Sequence, residues 1–152
     1  MHVKVNTSGD PSWSVEDLIN NSTIIPFRHQ EVEKLIKIRI NPQGPFFIIL
    51  SKTKAIINGS IIMEFTKNNL KYEAFRESTT MDILTNTILY EDINEFTLHV
   101  KNFEIQFKNL DSSTSSTFPG NFSNFIFIGF SSYNPAKWTV QEGEVHFEKF
   151  IN

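Results

Sequence analysis

Apolar and polar residues alternate along much of this chain with a period of two. Ile36, Ile38 and Ile40, for example, alternate with two basic residues. Successive side chains of a β-strand point to opposite faces of the sheet, so this pattern predicts a strand with one buried face and one solvated face. A helix over Gln30–Lys37 is the alternative interpretation, because apolar residues of that segment also fit a helical stripe. Asn41, which precedes a proline, would end either element.

The segment 96–107 has the pattern of a β-hairpin. Its first three apolar residues share one parity and its last three share the other, with a single change of phase at Lys101-Asn102. A two-residue loop at that point places all six apolar side chains on one face of the sheet. The predicted pairs are Val100 with Phe103, Leu98 with Ile105, and Phe96 with Phe107.

A second hairpin is predicted over 61–74. A four-residue loop at Thr66–Asn69 again brings the apolar residues of both strands to one face. The predicted pairs are Phe65 with Leu70, Met63 with Tyr72, and Ile61 with Ala74.

Two continuous apolar runs, Phe46–Leu50 and Phe125–Phe130, have the length of strands. Runs of this kind are expected where both faces of a strand are covered. The C-terminal segment 144–151 adds a last predicted strand, with Val145 and Phe147 directed inward.

Two longer segments lack this alternation. The N-terminal arm, 1–33, contains one predicted helical turn over Val15–Asn20, capped by Ser14. The segment Asp111–Asn124 is rich in Ser, Thr, Gly and Asn and is predicted to be a long loop. Many short strands and little helix together predict an all-β fold, an antiparallel β-sandwich of jelly-roll type, formed as a single domain over 1–152.

Composition excludes several classes of function. The formal net charge of -3, with basic residues scattered along the chain, argues against a nucleic-acid partner. No apolar run reaches the roughly 20 residues that span a bilayer, so we expect no membrane insertion. The absence of cysteine removes thiolate catalysis and fits a reducing compartment. The first residues lack the apolar core of a signal peptide, which favours a cytoplasmic location over a mature secreted fragment.

Motifs for cofactor chemistry are absent from the sequence. It contains no glycine-rich nucleotide or phosphate motif, no nucleophile elbow and no H-E-x-x-H, so we predict no cofactor, no metal and no enzymatic activity. The four histidines have no metal-ligand spacing. A carboxylate pair is the remaining catalytic alternative, but the candidates all alternate with apolar residues, as expected on a solvated sheet face: Glu64, Glu73, Glu104 and Glu144.

Aromatic residues beside turns are the positive signal for binding. Tyr133 and Trp138 flank the segment Asn134-Pro135, at the end of a predicted inner strand. Amphipathic rings beside a polar turn are typical of surfaces that stack on a ligand. We therefore predict Trp138 and Tyr133 as stacking surfaces and Asn134 as an orienting hydrogen-bonding group. The alternative is that Trp138 fills the end of the sandwich as a core residue.

Read in order, four segments of the chain resemble the farnesoic acid O-methyltransferase-like domain family. These are "LIKIRINPQGPFFIILS", "SIIMEFTKNNLKYEAFR", "DINEFTLHVKNFEIQF" and "NFIFIGFSSYNPAKWTV". The positions that match the family pattern are Leu50-Ser51, Phe96–Leu98, Ile128–Ser131 and Trp138, and the resemblance covers Leu35–Val140. The Gly-Gly-Trp segment characteristic of the family is absent, so no ligand role is carried over from it.

The family resemblance implies a β-sandwich, and the family name implies methyl transfer. The sequence has neither the glycine-rich turn nor the alternating strand and helix pattern that commonly hold a sulfonium cofactor. We therefore expect a binding role rather than methyl transfer.

Three classes of function are consistent with the sequence. The first is a non-enzymatic recognition module that binds a carbohydrate or a protein partner through loops at one end of the sandwich. The second is a structural subunit that forms homo-oligomers through its strand edges. The third is a hydrolase that acts through a carboxylate pair.

Overall fold

The computed structural model describes residues 2–9, 21–28, 33–41, 44–56, 58–66, 69–74, 80–84, 94–110, 115–122 and 124–143. The strands in these ranges are β1 (His2–Thr7), β2 (Thr23–Pro26), β3 (Lys34–Asn41), β4 (Phe46–Ser51), β5 (Ile61–Thr66), β6 (Asn69–Ala74), β7 (Thr80–Leu84), β8 (Asn94–Val100), β9 (Glu104–Asn109), β10 (Ser115–Pro119), β11 (Phe127–Ser132) and β12 (Ala136–Gly143).

These strands form two antiparallel sheets. The first sheet has the order β1-β12-β3-β8-β9-β10, and the second sheet has the order β2-β11-β4-β5-β6-β7. The prediction of an all-β antiparallel sandwich is confirmed, and the strand order is compatible with a jelly roll. Across the residues listed above, no helix has the length and apolar character needed to cross a membrane.

The main core lies between the two sheets and is formed by alternate residues of their strands. Ile36, Ile38 and Ile40 of β3 are all buried, whereas Lys37 and Arg39 are exposed. This burial confirms the strand and overturns the helical alternative at these positions. Aromatic rings fill much of the space between the sheets, among them Phe46, Phe65, Phe96, Phe107 and Phe130.

Strand β4 is buried on both faces, as its continuous apolar sequence predicts. Its outward residues, Phe47 and Ile49, belong to a second apolar cluster on the outside of the second sheet. Strand β11 begins at Phe127, two residues later than predicted, and Ile126 before it is exposed.

The hairpin of β5 and β6 forms in the predicted register, but Thr66 also pairs with Asn69, so its loop has two residues and not the predicted four. Phe65 pairs with Leu70, Met63 with Tyr72, and Ile61 with Ala74. Each pair places apolar side chains on the face that packs against the first sheet. A slip of one residue would turn the apolar residues of one strand away from the core, so the alternation of the sequence excludes such a register here.

The predicted register of the β8–β9 hairpin is wrong by two residues. Val100 pairs with Ile105 and Leu98 with Phe107, so Phe103 lies in the loop between β8 and β9 with 74% of its surface exposed. The Lys101 amide closes this loop by donating to the Glu104 carbonyl at 2.9 Å. A shift of two keeps each side chain on its face, so the other predicted inward residues remain buried.

The predicted loop over 111–124 contains strand β10, which pairs with β9. Its inward residue Phe118 is buried opposite Ile105, while its neighbours are polar or exposed. A strand with a single apolar anchor has no alternation to detect, which is why the sequence did not predict it.

The N-terminal arm likewise contributes two strands, β1 and β2, one to an edge of each sheet. The predicted helical turn over Val15–Asn20 and the predicted strand over 144–151 lie outside the described residues. The single-domain organisation stays a prediction.

Candidate functional site

Trp138 is a core residue, so the prediction of a stacking surface at this position is wrong. Its side chain is 1% exposed and lies in the inward row of β12. The indole ring makes an edge contact with Phe46 at 5.3 Å and a tilted contact with Phe130 at 4.9 Å between ring centroids. A ring this deeply buried has no exposed face on which a ligand could stack.

The indole N–H of Trp138 is satisfied inside the protein. Nε1 donates to the Thr7 Oγ1 atom at 3.0 Å, and the Thr7 hydroxyl forms a short hydrogen bond with the Ser132 hydroxyl. Thr7 belongs to β1 of the first sheet and Ser132 to β11 of the second. This buried polar chain therefore joins the two sheets directly beneath the loop that contains Asn134.

That loop, residues 133–135, packs closely against two neighbouring segments of the chain, at Gly9 and at Gly44-Pro45. The Tyr133 amide donates to the Pro45 carbonyl at 2.9 Å. A Cβ atom added at Gly44 would lie 2.6 Å from Asn134 Nδ2, and one added at Gly9 would lie 2.8 Å from the backbone of Asn134 and Pro135. Gly9 also has a φ of 85°, which disfavours other residues. The position of Asn134 thus depends on close contact with Gly9 and Gly44.

A groove opens beside this loop, at the end of the sandwich. We call it the end groove; it has a volume of about 620 Å³ and is lined by Asn41, Asn134, Pro135 and Lys137. The predicted orienting residue Asn134 therefore lies in a cavity wall. Tyr133 is half-buried and does not line this groove, so its stacking role stays a prediction.

A second groove of about 510 Å³ continues from the end groove over the outer face of the first sheet. The two grooves share Asn41 and Lys137. Ile40 and Trp138 also line this groove, although both residues are 1% exposed. The other six lining residues are polar residues of β1, β12 and β3, and we call them the polar grid: Lys4, Asn6, Lys137, Thr139, Arg39 and Asn41.

The register of the strands arranges the polar grid in two rows. Lys137 pairs with Asn6 on one side and with Asn41 on the other. Thr139 pairs with Lys4 and with Arg39 in the same way. Each row thus carries three polar side chains from three adjacent strands. Arg39 lay on a predicted solvated face, but the sequence alone does not show which strands flank it, so the grid was not predicted.

The cations of this face differ in their partners. Arg39 and Lys37 both approach Glu95 on β8, at 3.7 Å and 3.9 Å. These distances and the half-exposed side chains are typical of surface ion pairs, each worth about 0–1 kcal/mol. Within the described part of the chain, neither Lys4 nor Lys137 has a carboxylate at ion-pair distance.

The outer face of the second sheet has a different character. Phe47, Ile49 and Ile62 form an apolar cluster with Ile56, which comes from the segment between β4 and β5. All four side chains are buried, because this segment folds back over the sheet. Its conformation is held by Ser51 Oγ, which bonds the Ala55 carbonyl at 2.8 Å.

Among the described residues, no three His, Asp or Glu side chains come together as a metal site. His99 bonds Glu33 at 3.1 Å on the first sheet, away from both grooves. Of the candidate carboxylates, Glu64 and Glu73 belong to neighbouring strands of the second sheet, and Glu104 begins β9 of the first. Glu144 lies outside the described residues.

Tyr72 lies in β6 of the second sheet, away from the residues that line the two grooves. Burial raises the pKa of the Tyr72 phenol above its ordinary value. The neutral hydroxyl donates a short hydrogen bond to the Pro119 carbonyl. Because Tyr72 is in β6 and Pro119 in β10, this bond joins the sheets near their other edges.

No protein-family model matches this chain, and no curated protein matches it. Solved structures do share its fold. Galectin LEC-6 of Caenorhabditis elegans is 8% identical with a TM-score of 0.62, over 93% of this chain and 96% of that one. A toad ovary galectin in complex with N-acetylgalactose is 10% identical with a TM-score of 0.61, over 78% of this chain and 97% of that one.

The exo-inulinase of Aspergillus awamori is also similar, at 8% identity and a TM-score of 0.59, over 92% of this chain and 28% of that one. The fold of this protein is therefore the galectin-like β-sandwich. Identities this low show the fold alone. None of these structures bears on the resemblance to the farnesoic acid O-methyltransferase-like family, which stays a prediction.

Proposed function

We propose that this protein is a non-enzymatic carbohydrate-binding module whose ligand occupies the end groove. The observation that carries the proposal is the lining of that groove: two carboxamides, Asn41 and Asn134, an ammonium group, Lys137, and a proline ring, Pro135. A carboxamide offers a donor and an acceptor side by side, which suits the neighbouring hydroxyl groups of a sugar.

The size and position of the groove support the same proposal. Its volume of about 620 Å³ falls in the usual range of small-molecule sites, about 300–1,000 Å³. Asn134 is positioned by close contacts with Gly9 and Gly44, so its amide is held before a ligand arrives. Preorganisation of this kind reduces the entropy lost on binding. Trp138 then acts as a support beneath the site rather than as a ligand contact.

The shared fold adds support of a general kind. Several structures similar to this chain are galectins, and two are complexes of a toad ovary galectin with thio-digalactose and with N-acetylgalactose. The exo-inulinase matches through only 28% of its length. A folded scaffold that carries saccharide sites in other proteins makes carbohydrate the first ligand class to test here.

A glycan array followed by calorimetric titration tests the proposal. We expect binding to at least one saccharide and a loss of about tenfold or more in Asn134→Ala, because the mutation removes both hydrogen-bonding atoms of one groove wall. Asn102→Ala is the matched control, since Asn102 is exposed in the β8–β9 loop. Unchanged affinity in a folded Asn134→Ala protein, or no binding to any saccharide, contradicts the proposal.

Assembly through strand edges is a second candidate function. Edge strand β1 carries an exposed apolar residue, Val3, and exposed edges can pair with another chain. Light scattering over a range of concentrations tests this role. A stable oligomer that Val3→Lys dissociates supports it, and a monomer at all concentrations contradicts it.

A further inference from the structure

We infer that the polar grid extends the end groove into a subsite for an acidic saccharide, one that carries a carboxylate or a sulfate ester. This inference rests on the proposed carbohydrate-binding function and names its ligand class. The spacing of the polar grid and its three cations indicate this ligand class.

The arrangement of the grid matches the dimensions of a small saccharide. Neighbouring strands lie about 4.8 Å apart, and alternate residues of one strand about 6.8 Å apart. Two rows on three strands therefore cover about 10 Å by 7 Å, the scale of one or two sugar rings. The shared residues Asn41 and Lys137 make this surface continuous with the end groove.

The charge of the grid selects an anion. Three of its six side chains are cations, Lys4, Lys137 and Arg39. Among the described residues, Arg39 has a carboxylate at 3.7 Å, Glu95 on β8, and the two lysines have none at ion-pair distance. The chain as a whole has a formal charge of -3, so this local positive surface stands out against an acidic protein. Lys4 and Lys137 can each donate to an anionic oxygen without first breaking an ion pair.

The neutral members of the grid favour a saccharide over a simple anion. Asn6, Asn41 and Thr139 alternate with the cations in both rows. Their amides and hydroxyl can bond sugar hydroxyls while a neighbouring cation meets the acidic group. A nucleic acid would need a longer basic stripe, because its affinity comes from several phosphate contacts.

Calorimetry with matched disaccharides tests this inference. The probes are a disaccharide with a uronic acid, one with a sulfate ester, their unsubstituted neutral parent and inorganic sulfate. We expect at least one acidic disaccharide to bind about tenfold tighter than the neutral parent, and the preference to shrink as ionic strength rises from about 0.05 M to about 0.5 M. Whether the uronic acid or the sulfate ester binds more tightly identifies the acidic group.

Variants locate the subsite. The readout is the ratio of the affinity for the acidic disaccharide to that for the neutral parent. Lys4→Gln should lower this ratio about five- to tenfold, because Lys4 is a cation of the polar grid that lines the second groove but not the end groove. Lys108→Gln is the control: Lys108 is an exposed lysine of β9, two strands from β3 in the same sheet, and the ratio should not change.

Each failure has a distinct meaning. If the neutral parent binds as tightly as both acidic disaccharides, the inference is overturned while the proposed function stands. If none of the saccharides binds, both are overturned. If inorganic sulfate binds as tightly as the sulfated disaccharide, or if Lys108→Gln lowers the ratio as much as Lys4→Gln, the surface is an unspecific anion site and the inference fails.

Discussion

The outer faces of the two sheets have opposite characters in this protein. The first sheet exposes rows of polar and charged side chains, including Lys4, Lys137 and Arg39. The second sheet covers much of its outer face with its own apolar cluster, over which Ile56 is placed by the segment between β4 and β5. Antiparallel sheets commonly bury one face and leave the other wet. Here the first sheet follows that rule, and the second is buried on both sides around β4.

This difference bears on where a ligand can bind. A small polar ligand needs exposed hydrogen-bond donors and acceptors that can exchange bound water for the ligand, and the polar grid supplies such groups. The apolar cluster offers none at Phe47, Ile49 and Ile62, and its surface is already removed from water. The contrast therefore places the candidate site on the first sheet and its adjoining loop.

A charge placed on each outer face should reveal the difference directly. Ile49→Lys puts an unpaired ammonium group into the apolar cluster, and we expect it to lower the free energy of unfolding by about 3–5 kcal/mol. Gln106→Lys makes a comparable change on the solvated face of β9, and we expect an effect within about 0.5 kcal/mol. Urea unfolding measures both. Equal effects would show that the two faces do not differ as described.

Removal of the covering side chain tests whether the cluster depends on the segment between β4 and β5. Ile56→Ala should cost about 2 kcal/mol, since it leaves Ile49 and Ile62 partly uncovered. Increased binding of a dye that reports exposed apolar surface should accompany the loss. Ile126→Ala is the control, because Ile126 is already 42% exposed and its loss should cost less than about 0.5 kcal/mol. An Ile56→Ala protein as stable as the wild type contradicts the prediction.

Trp138→Phe tests whether the inward face of β12 contributes to stability alone, while its outward face contributes to binding. The change removes the indole hydrogen bond to Thr7 and part of the aromatic packing, so we expect a loss of about 1–3 kcal/mol in stability. The affinity for a saccharide should stay within about twofold of the wild type, because Trp138 is 1% exposed and its ring packs against Phe46 and Phe130. A large loss of affinity with normal stability would return Trp138 to the binding site.

Tyr72→Phe tests the contact that joins the two sheets near their other edges. Loss of the hydroxyl leaves the Pro119 carbonyl without this donor and should cost about 0.5–1.5 kcal/mol at pH 7. Burial raises the pKa of Tyr72 in the folded state, so the folded protein retains the phenolic proton more tightly than the unfolded chain. Its stabilising effect is complete below the unfolded pKa of about 10 and declines as the pH rises through and above that value.

Urea unfolding from pH 7 to 11 measures this dependence. The stability advantage of the wild type over Tyr72→Phe should shrink at the alkaline end. A constant difference between the wild type and Tyr72→Phe across this range would contradict the assignment.

Glu95→Gln should have the smallest effect on stability and a useful effect on binding. The ion pairs of Glu95 with Lys37 and Arg39 are long and half-exposed, so we expect a change of less than about 1 kcal/mol in the free energy of unfolding. Removal of this carboxylate makes the polar grid more positive. The affinity for an acidic disaccharide should therefore rise about two- to threefold at low salt, measured by calorimetry, and the affinity for the neutral parent should not. A fall in the acidic affinity would contradict the charge argument.

The alternation of apolar and polar residues was enough to predict much of the fold. It placed β3, β4 and the β5–β6 hairpin, because each has a regular pattern or a fully apolar sequence. It failed at β10, which has only Phe118 as an inward anchor, and at the β8–β9 loop. There the Asn102 and Phe103 carbonyls accept hydrogen bonds from Phe122 and Gly120, contacts that lie far along the chain and have no local pattern.

The candidate site was predicted only in part for the same reason. Asn134 was chosen from its place beside a turn, and it does line the end groove. Lys137 and Thr139 follow it in β12, but the other four polar residues, Lys4, Asn6, Arg39 and Asn41, come from β1 and β3, which lie about 100 residues or more away along the chain. Local sequence does not show which strands that are distant along the chain become neighbours. A site built across β1, β12 and β3 could therefore not be predicted from it.

The class of the fold, the inward faces of its regular strands and the polar character of the turn at Asn134 follow from the local sequence. The burial of Trp138 depends on tertiary contacts, because its neighbours Phe46, Phe130 and Thr7 belong to three other strands. Tertiary contacts also decide that one outer face is sealed and the other open. Burial depends on what packs over a residue, and that is set by strand pairing across the whole chain.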